Sequence, residues 1–192
     1  MRSILAVVIV ILLVGCSTKV DFKQNEIIEQ DLCVRLIDDH KKSICYGMNR
    51  ADVEELTGQG EQDGLLAVQY KHGLSVMYRY KEGESDSKAK VAGFFINKMA
   101  RNTYETPRGI RVGMERVQMK EAYGTKHAID AGNMVYYQYD MEKEKFIAKN
   151  GPELKGGPEE RQSIVSIEAH GEEDGDIEMI MMIDHRMAWF LN

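Results

Sequence analysis

One pattern occurs twice in this chain without a gap, and it limits the fold more than any other feature. Ile44-Cys45-Tyr46-Gly47-Met48-Asn49-Arg50 runs into Val53, Glu55, Leu56 and Gly58. Ile110-Arg111-Val112-Gly113-Met114-Glu115-Arg116 runs into Met119, Glu121, Ala122 and Gly124. Gly47 and Gly113 stand 66 positions apart, and every matched position keeps that offset. A repeat of this kind implies two copies of one supersecondary unit packed together.

Each copy reads as a short capped helix. In the first, Asn49 suits the N-cap, Met48 can pack on Val53 as a hydrophobic staple, and Gly58 can end the helix in the αL conformation. In the second, Met114 faces Met119, Gln118 occupies the capping-box position, Gly124 is the stop, and Glu115 is the weaker cap. Helices of about two turns are unstable alone and must dock on a sheet. The sheet comes from Leu65 to Tyr70, Leu74 to Tyr80 and Val91 to Ile96, then from Met134 to Tyr139, Lys145 to Ala148, Ser163 to His170 and Ile177 to Asp184. Lys71-His72-Gly73 is a hairpin connection, and Lys149 to Gln162 is a solvent loop with two Gly-Pro turns. Upstream, Ile28, Leu32 and Leu36 recur at helical spacing and predict a helix over Asn25 to His40.

The N-terminus carries the second strong signal. Met1-Arg2-Ser3 precedes an apolar run from Ile4 to Val14 that ends in Leu13-Val14-Gly15-Cys16. Eleven residues rise only about 16 Å as a helix, roughly half a bilayer's hydrocarbon thickness, so spanning is disfavoured. The segment resembles the leader and lipobox of bacterial prolipoproteins. The resemblance implies that the Cys16 thiol is lipidated, that residues 1–15 are removed, and that two or more acyl chains hold the protein on the membrane. Ser17, rather than Asp, follows the cysteine, which favours the outer membrane in a cell that has two.

Without the leader, the loss of Arg2 takes the formal charge from −6 to −7. An acidic chain with no basic cluster beyond Lys41-Lys42 excludes nucleic-acid binding and polybasic membrane adhesion as its business. Cys33 and Cys45 are either bridged or two buried thiols. A bridge closing a loop of this length contributes about 3 kcal/mol, and the spacing fits neither a thioredoxin-like pair nor a zinc knuckle.

The residues of the two motifs resemble a known fold. G-M-x-R-x-x-φ with a glycine stop, followed by a strand meander, is similar to β-lactamase inhibitory protein, which has two tandem helix-and-sheet units. It is also similar to the small outer-membrane lipoproteins of the SmpA/OmlA (BamE) type, which have one unit behind a lipobox. The resemblance implies an α+β fold of two tandem helix-plus-antiparallel-sheet units over 24–103 and 104–192, behind a lipidated tether at 16–23. The chain departs from the inhibitor in having no cysteine after Cys45, and from the lipoproteins in having two units.

No other constellation carries chemistry. His40, His72, His127, His170 and His185 lack metal-ligand spacing, so no metal or cofactor is expected. Asp38-Asp39-His40 has no nucleophile elbow and reads as the polar end of the first helix. Glu172 to Asp176 lacks the calcium-loop register and reads as an acidic hairpin turn. Met179 and Met181 alternate with Ile177 and Ile183 as a core strand face. Tyr78 and Tyr80 share one strand face, Tyr137 and Tyr139 another, in strands taken to be analogous. Rings on an open face would bind a protein; otherwise they cap the core. The sequence thus predicts a non-enzymatic, membrane-anchored envelope lipoprotein with a protein partner at Tyr78, Tyr80, Tyr137 and Tyr139, or alternatively an inhibitor of an enzyme such as a hydrolase.

Overall fold

The computed structural model describes residues 21–189, with 65, 66, 162, 173 and 174 excepted, so the leader, Cys16 and most of the tether lie outside the described residues. The chain forms β1 (Cys33–Leu36), β2 (Ser43–Cys45), α1 (Arg50–Thr57), β3 (Glu61–Asp63), β4 (Ala67–Tyr70), β5 (Leu74–Arg79), β6 (Lys90–Ile96) and β7 (Tyr104–Glu105). It continues through α2 (Arg116–Tyr123), β8 (Ile129–Asp130), β9 (Met134–Asp140), β10 (Lys145–Phe146), β11 (Ile164–Gly171), β12 (Ile177–Asp184) and α3 (His185–Trp189). The fold is mixed α+β and rich in antiparallel sheet.

Among the described residues, nine strands make one sheet in the order β10-β9-β11-β12-β6-β5-β4-β3, with β8 also paired to β9; β2-β1-β7 form a small second sheet. The last long strands before each half ends meet in the middle, where β12 pairs with β6 through Ile180↔Ile96 to Ile183↔Gly93. A side chain at Gly93 would meet the Met182 carbonyl at 2.8 Å, so this seam needs a glycine. The strands expected from sequence correspond to β4, β5, β6, β9, β10, β11 and β12 with shifts of a few residues.

The predicted helix over Asn25 to His40 is not formed. Residues Glu29–Leu32 make one 3-10 turn, and β1 follows directly. The apolar spacing is real, but long-range partners decide the conformation. Asp31 accepts from the Ile28 N–H at 3.0 Å and is claimed by Arg108. Beyond it, Cys33 pairs with Cys45 and Val34 with Ile44 across a hairpin, and Leu36 pairs with Tyr104. A disulfide joins Cys33 to Cys45, with Cα atoms 4.0 Å apart. Asp38-Asp39-His40 therefore lies in the β1–β2 connection, not at a helix end.

The two sequence motifs make matching backbone contacts. Gly47 donates to the Val91 carbonyl at 2.9 Å, and Val91 returns a hydrogen bond to Met48 at 2.9 Å. Gly113 donates to the Ile177 carbonyl at 2.7 Å, and Ile177 returns one to Met114 at 2.7 Å. Both motif helices start after an extended residue and stop at a glycine with positive φ: Gly58 at φ 83, ψ 177 and Gly124 at φ 97, ψ 153. These angles lie outside the αL region expected from sequence, in a region that is essentially glycine's alone. The first cap differs from expectation, and the capping-box role expected of Gln118 is filled. Asn49 turns its amide to Asp52 at 3.0 Å instead of capping the backbone, whereas the Glu115 N–H is held by Gln118 at 3.0 Å.

Candidate functional site

Register fixes which side chains share a face, because directly opposed residues point the same way. Val76, Phe94, Met182, Ile167 and Tyr137 form one row across five strands, and all are buried beneath the motif helices and the small sheet. Three of the four expected binding tyrosines, Tyr78, Tyr137 and Tyr139, belong to this face. Tyr78 is 0% exposed, Tyr137 1% and Tyr139 9%; Tyr80 alone, at 37%, reaches solvent. The Tyr70 and Tyr78 hydroxyls bond each other at 2.7 Å, and Tyr137 donates to the Gly124 carbonyl at 2.6 Å. Burial pushes the Tyr78 and Tyr137 phenols well up. Tyr78, Tyr137 and Tyr139 are therefore core and not an open binding face, for a simple reason: alternation gives two faces but does not say which is covered. Nor do the two strands hold matching places in the sheet, since β5 pairs with β6 whereas β11 lies between β9 and β12.

The opposite face is only half covered. Its row Met77, Gly93, Ile183, Ser166 and Gln138 lies under α3, whose Met187 packs with Met77, Ala92 and Ile183. The next row, Phe95, Met181, Glu168 and Tyr136, runs across β6, β12, β11 and β9 beyond α3, and Phe95, Met181 and Glu168 are partly exposed. Met179, His170 and Met134 extend it, with His170 bonded to Glu168 at 2.8 Å. Met179, Met181 and Ile183 share a face as alternation predicts, but it is this second face and not the main core, which takes Ile180 and Met182 and, beyond the register shift at Gly171, Ile177 as well.

Ser166 Oγ lies 2.9 Å from His185 Nε2, which also faces Gln138 Nε2 at 3.3 Å. A serine beside a histidine is the start of a nucleophilic pair, but Ser166 is buried under α3. Burial also holds the His185 imidazole below its ordinary value. The trio pins α3 to the sheet. Asp184 caps that helix by accepting from Met187 N–H at 2.6 Å, and it also takes Tyr46 at 3.0 Å and an ion pair from Arg79.

A groove of about 870 Å³ lies between the disulfide hairpin and the end of β9. Ile27, Leu32, Cys33 and Tyr139 line it as buried residues; Ile28, Cys45, Tyr46 and Met141 are half-buried, and Glu29, Gln30 and Glu144 are exposed. The segment leading to it is strapped down by Arg108. Its guanidinium bonds Asp31 bidentately at 2.6 and 2.8 Å, Lys23 O at 2.8 Å, Glu26 O at 2.6 Å and Ala122 O at 2.9 Å. Asn25 adds a backbone bond to Tyr123 O at 2.7 Å. Sequence reasoning passed over Arg108 and Asp31, since 77 positions separate them and no local pattern links them.

Among the described residues, no group of three or more His, Cys, Asp or Glu is placed to hold a metal, and no helix is long and apolar enough to cross a membrane. No protein-family model, curated protein or solved structure matches the chain.

Proposed function

We propose that the chain is a lipid-anchored, non-catalytic protein of a bacterial envelope that binds another protein on the open half of its large sheet. The observation that carries this reading is the partly exposed row of Phe95 and Met181, flanked by Met179 and Met134, on a sheet whose other face carries the main core. Methionines and aromatics with few charges are the composition of interface centres, and methionine adapts to the partner's shape. The paired Glu168 and His170 supply the polar contacts that orient such a partner.

The halves are copies of one helix-and-sheet unit, as in the inhibitor-like fold named above; the matching hydrogen bonds of Gly47 with Val91 and Gly113 with Ile177 support this. The address is the membrane surface through lipid on Cys16, outer and periplasm-facing in a cell with two membranes, and the lipobox supports that.

A photo-crosslinking residue at Met181 or Phe95 in living cells is expected to give one discrete adduct. The same residue at Val117, exposed on α2, is expected to give none. Equal adducts from all three positions, or none from Met181 and Phe95, would overturn the open-face reading. An adduct with an envelope enzyme that loses activity on binding makes the protein that enzyme's inhibitor. Fatty-acid labelling should vanish in Cys16→Ser; persistence of the label would overturn the address.

A further inference from the structure

We propose that the groove between the disulfide hairpin and β9 takes one of the acyl chains carried by the protein's own Cys16. The inference rests on the lipidation reading above and concerns a different surface from the open sheet face.

Three observations converge on this occupant. First, the groove has the chemistry of a hydrocarbon site. Its buried lining is Ile27, Leu32, Cys33 and Tyr139, with Ile28 and Met141 beside them, and its 870 Å³ falls among small-molecule sites of about 300–1,000 Å³. Second, the chain is delivered to it. Arg108 holds the carbonyls of Lys23 and Glu26, and the very next residues, Ile27 and Ile28, are groove wall. Cys16 stands seven positions before Lys23, a reach of at most about 25 Å at 3.6 Å per residue. A tether this short gives the attached chain an effective concentration of about millimolar order, so even a weak affinity fills the site. Third, charge at the mouth selects the form of the lipid. Glu29 and Glu144 are both exposed there, which disfavours a free fatty-acid carboxylate or an anionic phospholipid. An ester- or amide-linked chain on Cys16 brings no such charge.

The consequence is a protein that can shelter part of its own anchor. Stable anchoring takes two chains, so a chain held in the groove leaves the remainder of a triacylated cysteine in the bilayer.

The test uses the full chain matured in its host with a fatty acid bearing a diazirine and an alkyne. The label should appear on Cys16 before illumination. After illumination, mass spectrometry should find an intramolecular adduct at groove residues such as Ile28, Tyr46 or Met141. Adducts to phospholipid alone would overturn the proposal. Absence of label before illumination removes the lipidation reading itself and is seen as a separate result.

A second measurement stands apart from the membrane. The mature chain carrying Cys16→Ser should bind the methyl ester of cis-parinaric acid saturably with one site. Met141→Arg added to it should weaken binding at least tenfold while leaving the thermal midpoint within a few degrees. Tighter binding of the free acid than of the ester, or no saturable binding, would also overturn it.

Discussion

Arg108 carries five N–H donors, and each has an acceptor: two on Asp31 and one each on Lys23, Glu26 and Ala122. Its side chain is only 2% exposed, and the guanidinium lies 4.5 Å from the Tyr123 ring and 5.2 Å from the Phe22 ring. Removing one member of such a buried pair strands the other charge, at a cost of about 3–5 kcal/mol. Arg108→Met should lose that much in urea melts, and Arg108→Lys most of it, because an ammonium cannot bond Asp31 bidentately and reach three carbonyls. A loss under about 1 kcal/mol would show that the strap is incidental. None of this was legible from sequence, since a residue's role here depends on partners from two other segments, residues 23–31 and Ala122.

His185 gives a second residue-scale expectation. Burial between α3, of which it is the first residue, and the sheet holds its imidazole below the ordinary value near 6.5, against the raising effects of Glu168 and Asp184 and with the lowering effect of Arg161. The unfolded chain therefore binds the proton more readily than the folded one. Stability is unaffected by this group above about pH 6.5 and falls as pH drops through the window below it. His127, stacked on Phe146 and lowered by burial, adds in the same direction. Urea midpoints at pH 7.5 and 5.5 should drop more in the parent than in His185→Gln; equal drops would refute the assignment.

At the scale of elements, the helix stops carry the argument. Gly58 and Gly124 both occupy a backbone region that costs other residues about 1–3 kcal/mol. Their surroundings differ: a Cβ at Gly58 meets nothing within 4 Å, while one at Gly124 meets the Asn25 backbone nitrogen at 2.6 Å. Gly58→Ala should therefore cost about 1–2 kcal/mol from backbone strain alone. Gly124→Ala should cost more, because it also displaces the strap where Asn25 bonds Tyr123. A urea series in which Gly58→Ala is the worse of the two would overturn this reading. The helices and long strands were legible because their signals are local: a cap, a glycine stop and an apolar run. The segment Glu29–Leu36 was not, because Asp31–Arg108 and Cys33–Cys45 override its helical spacing. The short strands β3, β7 and β8 and the helix α3 have no local signal of their own and exist through their partners.

The molecule as a whole raises the question of whether its halves can stand apart. The repeat told where the helices lie, but not that β6 and β12 would meet, nor that each half borrows from the other. Residues 24–103 lend the strap that crosses α2, and β7, just beyond that boundary, completes the small sheet by pairing with β1. One buried cluster runs from Ile27 through Val76 and Tyr137 to Met182. Cutting the chain after residue 103 would expose the β6 edge with Phe94 and Ile96 and leave Asp31 without Arg108. Both losses push a domain of this size below marginal stability. The fragment 21–103 should accordingly lack a cooperative urea transition, whereas residues 21–192 should unfold in one step by circular dichroism and by tyrosine fluorescence alike. A dispersed NMR spectrum and a sigmoidal melt from the fragment would mean that the halves are autonomous domains, and that the β6–β12 seam joins two finished structures instead of completing one.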